Sequence, residues 1–356
     1  MVQMAAKQPL SVLCFGAGAI GTYIGGSLTL DGHNVVFVER PSVAEELRAR
    51  GLRLDLTLDR RRQTRDANVL DPRSFVMADS LEDAFQFGPF DVAIFALKSF
   101  DTASALEGIR HFTDKMPPIL CLQNGVDNEP AIAEVLGPDK VIYGTVTSAI
   151  GRRAAGDIVL EKLRGIGVAA GHPLSERLVA ALKAAKLKAQ LFPEAADMKW
   201  SKMLTNLIAN ATSAILDMTA VEVLSHAGLY KLEMGQLRET LAVMEAQGIQ
   251  VVDLPGTPVR MLAEIPDWPT FLRPLVARIL GGGRGGKMPS FHIDLHSGRG
   301  KSEVDWLNGA VVRAGQKNGV PTPVNKLLND TLQALTLGEI PLDEFARQPE
   351  KLLANR

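Results

Sequence analysis

Apolar and polar positions follow two different rhythms along this chain, and the change falls near Pro193. Before it, short apolar runs recur at Val12–Phe15, Val35–Val38, Asp91–Leu97, Ile119–Leu122 and Val141–Thr147. Such runs are the mark of strands buried on both faces of a parallel sheet. Helix-like stretches separate them, including the small apolar segment after Gly21 and the segment from Pro41 to Gly51. Strands joined by helical crossovers predict a doubly wound parallel sheet. Leu52–Val76 reads as polar and irregular, with Arg60, Arg61 and Arg62 in a solvated hairpin or loop rather than a binding patch. Gly151–Phe192 predicts short antiparallel strands and one helix over Ser175–Ala185, extending the same domain.

Beyond Pro193 the helical period takes over, at Ala195–Leu216, Val221–Gln247, Ser302–Asn318 and Val324–Leu337. Two domains are expected, an α/β domain over 1–193 and an all-helical one over 194–356, in line with a length of 356 residues. Gly281–Gly286 reads as a flexible break inside the second.

The first strand runs directly into Gly16-Ala17-Gly18-Ala19-Ile20-Gly21. In G-x-G-x-x-G between a strand and a helix, the first glycine allows the tight turn. The second lets a pyrophosphate approach the backbone, and the third lets helix and strand pack closely. The free N–H groups of the helix start then face the phosphates. The first domain is therefore expected to be a Rossmann-type dinucleotide-binding unit.

A second polar signal lies on the first helix of the second domain. At about 100° per residue, Trp200, Met203, Leu204, Leu207, Ile208, Ala211 and Ile215 share one face. Lys199, Lys202, Asn206, Asn210 and Ser213 gather on another. Asparagine is a poor helix former, so two of them four residues apart beside a lysine point to use. A partly desolvated lysine can serve as a proton donor or acceptor, and carboxamides can hold a hydroxyl or carbonyl oxygen.

Composition narrows the partners. A formal net charge of −1 gives no general electrostatic case for nucleic acid or a membrane surface. Cys14 and Cys121 sit inside apolar runs and read as core thiols of a reducing compartment. No metal site, signal peptide or membrane span is expected, and the expected location is the cytoplasm.

Five pieces then stand in order: GAGAIG at 16–21, LK at 97–98, QNG at 123–125, KMLTN at 202–206 and SEVDWLNG at 302–309. This arrangement resembles the ketopantoate reductase family over about residues 10–340. The resemblance implies reduction of a 2-keto acid, most simply 2-dehydropantoate to pantoate for pantothenate synthesis. Gly16, Ala17, Gly18, Ala19, Ile20 and Gly21 would hold the pyrophosphate, and Lys98 and Ile150 would lie near the cofactor. Asn124 would contact both cofactor and substrate. Lys202 matches the general acid, Asn206 and Asn210 the substrate-binding pair, and Ser290 the serine on the substrate carboxylate. Glu303 matches the glutamate near the nicotinamide ribose and the lysine. The cleft is expected between the domains, and the helical domain could supply a homodimer interface.

Three features depart from that pattern. Glu39 suits the ribose 2′-hydroxyl of NAD, whereas Arg40 suits the 2′-phosphate of NADP; the family pattern favours NADP, with NAD as the alternative. Lys287, His292 and Ile293 replace residues usual around Ser290, which leaves open a different keto acid; His292 reads mainly as structural. Pro255–Gly286 looks like an insertion, either a lid or a surface loop. Gly281–Lys287 fits the start of a P-loop, but Met288 occupies the Ser/Thr position and no strand precedes it. A dinucleotide sensor without turnover is the reading from another class, and the proton-donor set argues against it.

Overall fold

The computed structural model describes residues 8–63, 65–281 and 287–355. The described backbone forms two compact units. One holds the residues up to Gln123, then Asn128–Ala195 and Pro255–Thr257; the other holds Asn124–Asp127, Ala196–Leu254 and the residues from Pro258 onward.

The first unit contains β1 (Ser11–Phe15), β2 (Asn34–Val38), β3 (Leu52–Asp55), β4 (Asn68–Leu70), β5 (Val76–Ala78), β6 (Val92–Phe95), β7 (Ile119–Cys121), β8 (Val141–Val146), β9 (Ala149–Ala154), β10 (Asp157–Lys162), β11 (Ile166–Ala169) and β12 (Ala189–Phe192). Eight of them form one sheet in the order β12-β11-β8-β7-β6-β1-β2-β5. Its pairs are parallel except β11 with β8. Central β1 lies between β2 and β6, with Leu13 opposite Val36 and Ala93. Its alternate residues feed different cores: Val12 and Cys14 pack with Ile94 and Leu120, while Leu13 and Phe15 pack with Ala93 and Phe95. Burial on both faces is why these strands read as unbroken apolar runs.

Leu52–Val76 corrects one expectation, because it is not irregular. Leu52 and Leu54 are fully buried while Arg53 is exposed, the period-two alternation of a strand. β3 joins a second sheet of order β4-β3-β10-β9. The arginine run is solvated at Arg60 and Arg61 but not at Arg62. Arg60–Arg62 is a 3₁₀ turn closed on buried Asp59, which accepts from Arg61 at 2.8 Å through both carboxylate oxygens. Arg62, its side chain only 8% exposed, donates to Ser27 and to the carbonyl of Ala185.

The second unit is helical. The stretch expected as one helix from 195 to 216 is two, Ala195–Leu207 and Ala211–Leu216. Ala220–Ser225 and Ala227–Ala246 likewise replace a single helix, with His226 between them. The Ser302–Asn318 segment opens with a π-helical turn at Asp305–Gly309 before the Ala310–Asn318 helix. Pro323–Leu337 forms the long helix expected there. Val259–Glu264 and Arg273–Val276 are short helices. Within the segment expected to break at Gly281–Gly286, residues 282–286 lie outside the described residues, as does most of the P-loop-like stretch. Among the described residues no helix is long and apolar enough to cross a membrane.

Candidate active site

In the first unit the chain leaves β1 through Gly16, at φ +87°, and the Ala19–Leu30 helix starts at Gly18 without a capping side chain. A Cβ on Gly21 would lie 2.0 Å from the Gly16 carbonyl oxygen, so only glycine permits this packing. A Cβ on Gly18 would meet nothing within 4 Å. The loop thus presents open backbone and uncapped helical N–H groups, and it fits a pyrophosphate. Ala17 is fully buried, while Ala19 and Ile20 are partly exposed.

Glu39 reaches back across this loop. Its carboxylate accepts from the Ala17 N–H at 2.7 Å and from the Arg40 N–H at 3.1 Å. Arg40 is exposed. Lys98 is partly exposed just after β6. Ile150 lies within β9, paired with Leu160 in the second sheet. Burial pushes the Cys14 thiol up, with Glu39 adding to the shift, so it offers no thiolate; Cys121 is also buried, its Sγ donating to Gln123 Oε1 at 3.5 Å.

The second unit gathers a different set of groups. Asn206 Nδ2 donates to Asn124 Oδ1 at 3.1 Å. Asn210 Nδ2 donates to the Asn206 carbonyl at 3.0 Å and to Ser290 Oγ at 3.3 Å. Asn210 Oδ1 accepts from the Phe291 N–H at 3.1 Å. Asn124, Asn206, Asn210 and Ser290, far apart in sequence, form one hydrogen-bonded chain. Asn210 is 4% exposed, while Ser290 at its end is exposed. Lys202 lies partly exposed one helical turn before Asn206. Glu303 is 2% exposed, just ahead of the π-helical turn. Lys199 and Ser213, on the same polar stripe, are also buried, so the stripe is not a solvated face. Asn124 owes its place to Gly125, at φ +89°, where a Cβ would lie 2.6 Å from the Trp306 carbonyl oxygen.

Sequence reasoning missed what shapes this helix. It breaks after Leu207 because Ala209 takes a left-handed backbone, φ +50°. The fully buried Glu233 holds the break: it accepts from the Ala209 N–H at 2.7 Å, Thr212 Oγ1 at 2.5 Å and Gln236 Nε2 at 2.5 Å. Gln236 Oε1 in turn accepts from Asn308, which also donates to Asn325. Asn325 donates to Glu239 at 2.8 Å. A legible signal existed, since Glu233, Gln236 and Thr240 recur at helical spacing among core leucines.

Of the residues departing from the family pattern, Lys287 and Ile293 are exposed. His292 pairs with Asp217 at 2.8 Å rather than joining the asparagine chain.

Known sequences speak to this combination. The profile described as "Ketopantoate reductase PanE/ApbA" matches residues 12–171, and that described as "Ketopantoate reductase PanE/ApbA C terminal" matches residues 194–336. The chain belongs to the ketopantoate reductase family. It is 25% identical over 339 residues to a 2-dehydropantoate 2-reductase of Halobacterium salinarum, spanning 91% of this chain and 98% of the relative. A second, from Archaeoglobus fulgidus, is 24% identical over 331 residues, with 92% and 98% covered. The crystal structure of a PanE/ApbA family ketopantoate reductase from Ralstonia eutropha superposes with a TM-score of 0.74 at 25% identity, covering 92% of this chain and 98% of that one. D-mandelate dehydrogenase, solved with NADH and anilino(oxo)acetate, shares the fold at a TM-score of 0.72 and 19% identity, over 91% and 98% of the chains. As a member of the ketopantoate reductase family, the chain is an oxidoreductase of the CH–OH class, in a family that works with a nicotinamide dinucleotide and a small keto acid.

Proposed function

We propose that this protein reduces a 2-keto acid to the 2-hydroxy acid, with 2-dehydropantoate as the first candidate substrate and NADPH as reductant. The observation that carries the reading is the Asn124–Asn206–Asn210–Ser290 chain with Lys202 one turn upstream. Gly16–Gly21 and Lys98 would hold the dinucleotide, which when bound supplies the hydride. Reduction makes the ketone oxygen negative, and Lys202 would stabilise that charge and deliver the proton. Asn206 and Asn210 would orient the substrate oxygens. Ser290 Oγ, within reach of both polar atoms of the Asn210 amide, would donate to the carboxylate. Asn124 would reach substrate and cofactor, and Glu303 would set the nicotinamide ribose and the lysine.

One observation favours a second reading, with NADH as reductant. The Glu39 carboxylate already lies on the glycine loop through Ala17. A carboxylate there suits a ribose hydroxyl and repels a 2′-phosphate; Arg40 supports the opposite choice.

Initial rates of NADPH and NADH oxidation with 2-dehydropantoate and a panel of other 2-keto acids test both readings. Preference for NADPH with 2-dehydropantoate supports the first. Preference for NADH identifies Glu39 as the selector, and activity on a different keto acid overturns the substrate. Lys202→Ala is expected to abolish turnover while cofactor binding persists. Undiminished turnover in that variant would remove Lys202 from the proton-donor role.

A further inference from the structure

A second group of chemistry-bearing side chains lies beside the asparagine chain, and the reduction does not use it. Asp217, His292 and His296 each bring one ligand atom to within 4.8 Å of the others. His292 and His296 stand one turn apart at the Ser290–Leu295 helix and its C-cap, on one face, with ring centroids 4.2 Å apart. Asp217 closes the Ala211–Leu216 helix in a left-handed backbone conformation, φ +49°. Its Oδ1 is 2.8 Å from His292 Nε2. The sequence carried no metal signal because the third ligand is 75 residues away from the first histidine.

We infer that Asp217, His292 and His296 form a binding site for a divalent transition cation such as Zn²⁺. Two imidazoles and one carboxylate are ligands that suit zinc, cobalt or nickel rather than magnesium. Two imidazolium rings this close would repel each other, whereas two neutral rings can turn their lone pairs on one cation. The competing cation, Arg347, senses Asp217 but is itself held by Glu222 at 2.5 Å. Asp217 and His296 are exposed, so water would complete the coordination sphere.

The placement gives the site a consequence. Asn210 precedes the helix that Asp217 closes, and Ser290 begins the helix that His296 closes. The near ends of these two helices are joined by Asn210 and Ser290 at 3.3 Å. A bound cation would join their far ends and act as a clasp on the Asn210–Ser290 pair.

The test is calorimetric titration of Zn²⁺ into chelator-stripped full-length protein, followed by Co²⁺ absorption spectroscopy for ligand geometry. Saturable binding near one ion per chain is expected, weakened at least about tenfold in His296→Ala and in Asp217→Asn. Zn²⁺ should also raise the melting temperature of the wild type but not of His296→Ala, and Mg²⁺ should do neither. Circular dichroism of each variant checks that it is folded. Absence of saturable binding up to about millimolar Zn²⁺, or binding unchanged in His296→Ala, overturns the site. These readouts need no turnover, so failure of the proposed reduction would leave them standing, and the reverse.

Discussion

The glycine loop of the first unit and the asparagine helix of the second reach functional geometry by opposite routes. In the loop, the glycines set the backbone path locally, and Glu39 and the Val38 carbonyl brace it. Gly16 supplies the positive φ, and Gly21 supplies the missing Cβ against the Gly16 carbonyl. The asparagine helix depends on residues outside itself. Its break at Ala209 is an unfavourable left-handed backbone for an L-residue, held by a carboxylate 24 residues away. In the proposed function the loop would bind with backbone and so need only space, whereas the helix would bind with side chains and so need aim.

The largest effect should come from Gly21→Ala. Its methyl would meet a backbone oxygen at 2.0 Å, and backbone cannot move aside as a side chain can. Dinucleotide affinity, read by fluorescence titration, is expected to fall by about a hundredfold or more, or ~2.7 kcal/mol. An affinity near wild type would show that the loop relaxes and that the local account is wrong.

Glu233→Gln attacks the other side of the comparison. The carboxamide keeps the shape but removes the charge and one acceptor oxygen, so either Ala209 and Gln236, which donate to Oε2, or Thr212, which donates to Oε1, loses its carboxylate acceptor. A buried mismatch of this kind costs roughly 1–3 kcal/mol. We expect kcat/KM for the keto acid to fall about tenfold, while dinucleotide affinity stays within about twofold. Equal losses in both would mean that the variant is merely destabilised.

These two positions show how far sequence carries. Gly16, Gly18 and Gly21 were legible because three glycines within six residues encode one turn. Lys202 and Asn206 on one face were legible because a helix converts spacing into a shared face, whereas Asn210 meets Asn206 across the break, from the start of the next helix. The break at Ala209 was not legible, since alanine is the best helix former and nothing local demands a left-handed turn. β3 was obscured by Arg53 and Asp55 on its outer positions, although the alternation was present. Arg62 sits in an arginine run, a composition that predicts solvation. Its burial depends on Asp59, Ser27 and the Ala185 carbonyl, none of which composition could place beside it.

A middle-sized effect should refine the account of the loop. Glu39→Gln removes the charge beside Ala17 while leaving an acceptor. The ratio of kcat/KM for NADPH over NADH is expected to rise about tenfold, or ~1.4 kcal/mol, with little change in the keto acid KM. An unchanged ratio would leave Arg40, or neither residue, as the selector.

The smallest effect concerns the helix start at Thr219, where the second unit does use a local device. Thr219 Oγ1 accepts from the Glu222 N–H, and Glu222 Oε2 accepts from the Thr219 N–H at 2.7 Å, a capping box. The Thr219 backbone bond, then its hydroxyl and Arg347, hold the Glu222 carboxyl down at about 2, from an ordinary 4.5. The side chain is 39% exposed, so solvent screening keeps its share of stability to roughly 0.5–1 kcal/mol. A depressed carboxyl stabilises the fold fully above its unfolded value, and that share is lost as pH falls from about 4.5 through about 2. Glu222→Gln is therefore expected to lower the melting temperature slightly at pH 7, and the gap from wild type should shrink as pH drops through that window. A gap that stayed constant with pH would mean that the carboxylate charge contributes nothing there and that the cap acts through its hydrogen-bond geometry alone.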